Sequence, residues 1–138
     1  MKSTKVVKLY DYLRPIESLE YEYKNTQNVL KNIYERFDNI YNNSVFSETC
    51  KALKNYKYIS HNEIVPEGRY IRYIDTTDPS VLYLETGGIV IEYGQWNIKL
   101  KSMISEDKYF KIMRNKSMIF MKFNKNDHMR DIMLKSCN

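Results

Sequence analysis

The 138-residue sequence predicts an α+β protein: a long N-terminal helix, then a small antiparallel β barrel or curled sheet, closed by a C-terminal helix. Three observations predict it. An apolar or aromatic residue recurs every three or four positions from Ile16 to Ile40, with one polar exception. From Arg69 onward apolar residues recur in twos, in short runs separated by turn residues. Residues 126–136 then return to helical spacing.

Residues 1–14 form a basic arm in which Lys2, Lys5 and Lys8 interleave with Val6, Val7, Leu9 and Tyr10. Pro15 suits the first turn of a helix, where its missing N–H costs nothing. The helix is expected over 15–43. Ile16, Leu19, Tyr23, Thr26, Leu30, Ile33, Phe37 and Ile40 follow a heptad a/d spacing with Thr26 as the single polar position. Charged residues fill the positions between them, and Asn42-Asn43-Ser44 offers a stop. Two readings of the stripe stay open: it lies on the chain's own β domain, or it pairs with a helix of another chain. A helix of roughly 26 residues is about 39 Å long. That exceeds what a small domain easily covers, which favours association.

Residues 44–65 are expected to hold a short helix and a connector. Ser47 is a candidate N-cap before "ETCKALKNY", and "VPEG" is a turn signal. The β domain with its terminal helix occupies 66–138. "RYIRYID", "VLYLE", "IVIEY", "WNIKLK", "YFKIMR" and "SMIFMKF" read as strands. The expected turns fall at "TTDPS", "TGG", Gly94-Gln95 and Asn115-Lys116. Gly87-Gly88 would supply positive φ in a hairpin, and residues 109–123 would form a last hairpin. Such spacing suits a small barrel or curled sheet, which also hides strand edges. The terminal helix is expected to start near Asn126 and to turn Met129, Ile132 and Met133 inward.

Composition bounds the function. Net charge is +5, and residues 95–138 hold ten Lys/Arg against four Asp/Glu. A basic end of this kind suits phosphate, an acidic partner or a solvated surface. Cys50 and Cys137 have neither metal spacing nor a disulfide framework, so free thiols are expected. No apolar run reaches the roughly 20 residues that span a bilayer. The start lacks a signal-peptide pattern, and the chain is expected not to be secreted.

Candidate chemistry is sparse. His61 falls in a connector and His128 in the terminal helix, neither within a nucleophile motif. Asp75 and Asp78 flank a turn, and Gly87-Gly88 does not lead into a helix as a phosphate loop would. No catalytic residue, metal site or cofactor is expected, and the chain is read as not an enzyme. Arg69, Arg72, Lys99, Lys101, Lys111 and Arg114 are the candidate contacts for nucleic acid or another partner. Alternation sends Arg72 and Tyr73 to opposite faces and aligns Trp96 with Ile98 and Leu100, towards the core. The aromatic and basic sets are therefore expected to separate.

The run "EGRYIRYID…LYLETGGIVIEYGQWNIKLK…YFKIMRNKSMIFMKF", roughly residues 66–123, resembles a β module of small proteins of nucleocytoplasmic large DNA viruses. In those the typical pattern is "IRY…GG…LK…W-V…IF-K". Here Tyr109-Phe110 stands where a Trp is usual. The resemblance implies a viral protein of the virion and the host cytoplasm, and it brings no catalytic residues. Together with the helical stripe it leads to a structural reading: a minor capsid or other virion component. Such a protein would associate through its helix with other subunits, its own or capsid proteins, and dock through its β module. The alternative is a nucleic-acid-binding accessory protein of viral transcription or genome packaging.

Overall fold

The computed structural model describes residues 18–36, 43–78 and 82–136. The basic arm, Pro15, Ile16, Phe37, Ile40 and Cys137 lie outside them.

Helix α1 (Leu19–Arg36) opens after Ser18, whose Oγ accepts the N–H of Tyr21 at 3.0 Å. This is an N-cap, which supplies a partner for an otherwise orphan N–H. Glu20 and Glu22 in the first turn and Arg36 in the last suit the helix dipole. The buried line of α1 is Glu22, Thr26, Leu30 and Tyr34, a spacing of four. Leu19 and Ile33 flank it and pack on the two hydrophobic clusters, with Tyr23 half-buried. The described part of the expected association stripe thus faces the chain's own sheet.

Helix α2 (Asn43–Ala52) starts where the first helix was expected to stop, four residues ahead of Ser47. It ends before Leu53, and the N–H of Tyr56 then donates to the Leu53 carbonyl at 3.1 Å. Strand β1 (Tyr56–Ile59) then takes residues 56–58, expected to end the short helix, and Ile59, expected to open the connector. Two tyrosines and an isoleucine suit a pleated, half-buried surface.

The other strands are β2 (Tyr70–Asp75), β3 (Leu84–Tyr93), β4 (Asn97–Ser102), β5 (Tyr109–Met113) and β6 (Ser117–Lys122). They form one antiparallel sheet in the order β1-β6-β2-β3-β4-β5. β5 and β6 therefore do not form the expected hairpin. β6 returns to lie between β1 and β2, and only the 3-10 turn Arg114–Lys116 separates it from β5. In a flat sheet the two strands would be about 19 Å apart, at roughly 4.8 Å per strand. The Cα atoms of Met113 and Ser117 can separate by at most about 14 Å. The sheet must therefore curl, and bulges between Ile71 and Tyr73 and between Val90 and Glu92 add bend. No ladder joins β5 to β1, so the sheet is open.

β3 runs straight through Gly87 and Gly88, where a turn was expected. The glycines serve close approach instead. A Cβ on Gly88 would lie 2.2 Å from the Lys101 carbonyl oxygen. A Cβ on Gly87, whose φ is +72°, would lie 1.9 Å from that of Ile71.

The curl separates two cores. Ile71, Val90, Ile98, Leu100, Ile112, Ile119 and Met121 fill the inner face. On the outer face of β1, β6 and β2, Tyr56, Phe120 and Ile74 pack under Leu30, Tyr34, Cys50 and Leu53. Thr26, the polar member of the stripe, donates from Oγ1 to the Tyr56 carbonyl of edge strand β1 at 3.4 Å. Tyr34 donates from its hydroxyl to the Leu82 carbonyl at 3.0 Å. A buried ion cluster fixes the other end of α1. Lys57 Nζ lies 2.9 Å from Glu63 Oε2 and 3.7 Å from Glu22 Oε2. Burying such charges costs desolvation, but removing one partner costs more.

Helix α3 (Lys125–Ser136) begins with reciprocal capping. The N–H of Asp127 donates to Asn124 Oδ1, and that of Asn124 to Asp127 Oδ2, each at 2.9 Å. This pairing has the logic of a capping box and places the cap two residues before Asn126. Its docking is polar. Asp131 is the buried residue, and its Oδ1 accepts the N–H of Leu19 at 3.1 Å. Met129, Ile132 and Met133, expected inside, are all more than 60% exposed. The reason is that Asp131 and Asp127, on the opposite side of the helix, find partners in α1 and Arg69.

Candidate functional site

The six basic residues expected to meet a partner divide into two groups. Arg69 Nη2 donates to the Lys122 carbonyl and pairs with Asp127 Oδ2 at 2.6 Å, tying α3 to β2 and β6. Arg72 Nε donates to the Glu85 carbonyl at 3.1 Å. Arg114 donates from Nη2 to the carbonyls of His61 and Glu63 at 2.8 and 2.7 Å, and from Nη1 to that of Gly94 at 3.3 Å. Its guanidinium also lies 4.7 Å from the ring centroid of Tyr93. These arginines bind the fold together.

Lys99, Lys101 and Lys111 come together on the outer face of β3, β4 and β5. In β4, Ile98 and Leu100 point into the inner core, so Asn97, Lys99 and Lys101 point out. Register sets Lys111 of β5 opposite Lys99, and Tyr109 opposite Lys101. Like charges placed directly across a ladder destabilise it. Glu92, opposite Lys99 on the β3 side, offsets part of this repulsion. Helices α1 and α2 cover the outer face over β1, β6 and β2, while none of the described helices lies over β4 and β5, whose strands alternate apolar residues inward with mostly polar, basic or aromatic residues outward.

Aromatic side chains join the lysines. Trp96, expected in the core, is 68% exposed, and Tyr109 is 48% exposed. Trp96 lies in the bend before β4, outside the ladder, so strand alternation does not govern it. It lines a depression of about 190 Å³ together with Gln95, Asn97, Lys99, Lys111 and Glu92. Lys99 Nζ sits 5.3 Å from the Tyr109 ring centroid, a cation–π distance. Trp96 and Tyr109 thus share the lysines' side, which overturns the expected inward place of Trp96, while Tyr73 packs on the inner core and Arg72 bonds outward, as expected. Sequence reasoning turned Trp96 inward because it carried the strand one residue too far into the bend; Gln95 and Asn97 were placed in the bend and on the outward side but carried no charge or ring to single them out.

Elsewhere the structure gathers less chemistry. A groove of about 400 Å³ between α1 and the start of β6 takes Arg36, Asn32, His61 and Asn115, with no carboxylate among its described lining residues. His128 stacks edge-on against Phe123, far along the chain from His61. Cys50 is buried, and burial raises its thiol pKa. Asp75 accepts the N–H of Thr77 at 2.8 Å, and hydrogen bonds from Thr77 lower its carboxyl pKa, as turn chemistry requires. Among the described residues no group of three or more His, Cys, Asp or Glu side chains could hold a metal ion. No described helix is long and apolar enough to cross a membrane.

Compared with known proteins, the chain matches no family model, no curated protein and no solved structure.

Proposed function

We propose that this chain is a non-enzymatic binding module that holds a polyanion on the outer face of β3, β4 and β5. One observation carries the reading: Lys99 and Lys111 stand directly opposite each other, with Lys101 beside them, on a sheet face that no described helix covers. A pair that weakens the ladder by itself becomes favourable once an anion bridges it. The association stripe favours this reading over a helix-mediated assembly role, because Leu19, Thr26, Leu30 and Ile33 already pack within the chain. The motif likeness supports a viral setting, with accessory work on a genome or transcript as the corresponding role.

The test is a charge-matched comparison on immobilised heparin. The variant Lys99→Glu/Lys101→Glu/Lys111→Glu is expected to elute at clearly lower salt than the parent. A control with the same change in charge, Lys24→Glu/Lys31→Glu/Lys51→Glu on the exposed faces of α1 and α2, is expected to elute much closer to the parent. Equal losses in both variants would show that net charge alone, and not this face, binds the polyanion.

A further inference from the structure

Resting on the polyanion reading of the same face, we propose that the ligand is a single-stranded nucleic acid. Its bases stack on Trp96 and Tyr109, and its phosphates lie along Lys99, Lys101 and Lys111. A bare polyanion needs cations only. This face adds two large rings that the fold leaves exposed, one at each end of β4. Trp96 borders the depression at the Asn97 end, and Tyr109 lies opposite Lys101 at the other. Between the rings stand the opposed lysines. Single-strand sites combine these two elements, a cationic track and aromatic platforms for successive bases.

The depression beside Trp96 adds a means of contacting base edges. The side-chain amides of Gln95 and Asn97 line it with Lys99 and Lys111, and an amide offers both donors and an acceptor. Glu92 also lines the depression, from the β3 side of Lys99, where it makes that margin less attractive to phosphate and sets the track towards β4 and β5. A duplex keeps its bases stacked inside and exposes only their edges in grooves, so it cannot occupy both rings. From Asn97 to Lys101 the face is about 14 Å long at roughly 3.4 Å per residue. That suits a short site at the lower end of the 4–16 nucleotides typical of small single-strand modules.

Trp96 is the single tryptophan of a chain with 13 tyrosines, so emission under tryptophan-selective excitation reports on this site alone. The experiment titrates the full chain with an oligothymidylate of about 12 nucleotides, a polyphosphate of matched charge, and a duplex of matched length. Single strand is expected to shift or quench the Trp96 emission and to bind more tightly than either control. Three lysine–phosphate contacts give a salt slope near −2, or about 18-fold weaker binding between 50 and 200 mM salt. Trp96→Ala, followed by anisotropy of a labelled strand, is expected to weaken binding about 5- to 150-fold. Trp96→Phe should recover much of that loss, and thermal melts of both variants should match the parent because the side chain is exposed. Polyphosphate or duplex binding as tightly as the single strand, with Trp96 emission unmoved, overturns the single-strand inference while leaving the polyanion reading in place. Failure of the heparin comparison sinks the polyanion reading itself.

Discussion

Arg114 gives the sharpest separation between a ligand contact and a structural tie. Its guanidinium meets three backbone carbonyls and the face of Tyr93. Arg114→Ala removes two short charge-assisted hydrogen bonds, one long one and the stack. Such bonds are worth about 1.5–3 kcal/mol each when dry. Here one of the two short bonds is exposed and the other part-buried, so about 1 kcal/mol each is appropriate. The stack adds roughly 0.5–1 kcal/mol. The expected loss is therefore about 2.5–3 kcal/mol. At a urea dependence of about 1.5 kcal/mol per molar, the unfolding midpoint falls by about 1.5–2 M. Arg114→Lys keeps the charge but not the planar fork, so it should recover less than half of the loss. Urea titration followed by far-UV circular dichroism measures both variants. Oligonucleotide affinity of the folded Arg114→Lys variant should stay within about twofold of the parent, since a structural tie adds no phosphate contact to the salt slope. The assignment fails if Arg114→Ala leaves the midpoint unmoved but weakens oligonucleotide binding.

Two further outcomes follow from the packing. Leu30→Ala should cost about 2–5 kcal/mol, because Leu30 is fully buried against the sheet. Chemical denaturation that shows no loss, at concentrations where sedimentation gives a monomer, would mean that α1 does not lie on the sheet. The second concerns alkali. Burial pushes the Tyr93 hydroxyl up to about 12 from 10.0, outweighing the lowering by Arg114. The unfolded chain then loses this proton first, so stability is intact below pH 10 and falls as pH rises towards 12. The loss is about 3 kcal/mol at 1.36 kcal/mol per pKa unit. Comparing the parent with Tyr93→Phe between pH 9 and 12 isolates it from lysine titration, and parallel stability curves would contradict it.

Much of the sheet was legible because strand patterns encode burial. "NIKLK" alternates, so one face of β4 is apolar and the other basic, and the structure covers only the apolar one. "MIFM" in β6 is apolar throughout, and β6 lies between the inner core and the helices. The Gly87-Gly88 misreading has a clear origin. Glycine signals a turn and a close approach equally well, and only the neighbouring carbonyls of Ile71 and Lys101 decide between them. β1 was hidden because "YKYI" follows directly on a helical pattern, and four residues are too few for a period to stand out. Strand order was not legible at all. Adjacent segments pair often enough that β5 and β6 read as a hairpin, and nothing local in the sequence reveals the return of β6 to β2.

The site divides along the same line. The lysines of β4 and β5 were legible as a set because they share a parity within regular strands. The arginines were not separable from them, because a basic residue in a strand gives no sign of whether a carbonyl or an acid waits for it. Arg69 meets Asp127, and Arg114 meets His61 and Glu63, each more than fifty residues away in sequence. Trp96 inverted its expected place because it stands in the bend before the ladder begins. That one residue changes the character of the face. With the indole inside, the outer surface would be a lysine patch suited to any anion. With the indole outside, beside two amides and two lysines, the surface can distinguish a ligand by its rings as well as by its charge. If the proposed ligand binds here, specificity on this sheet is set at its rim, where the ladder stops dictating direction, while the ladder itself supplies the charge.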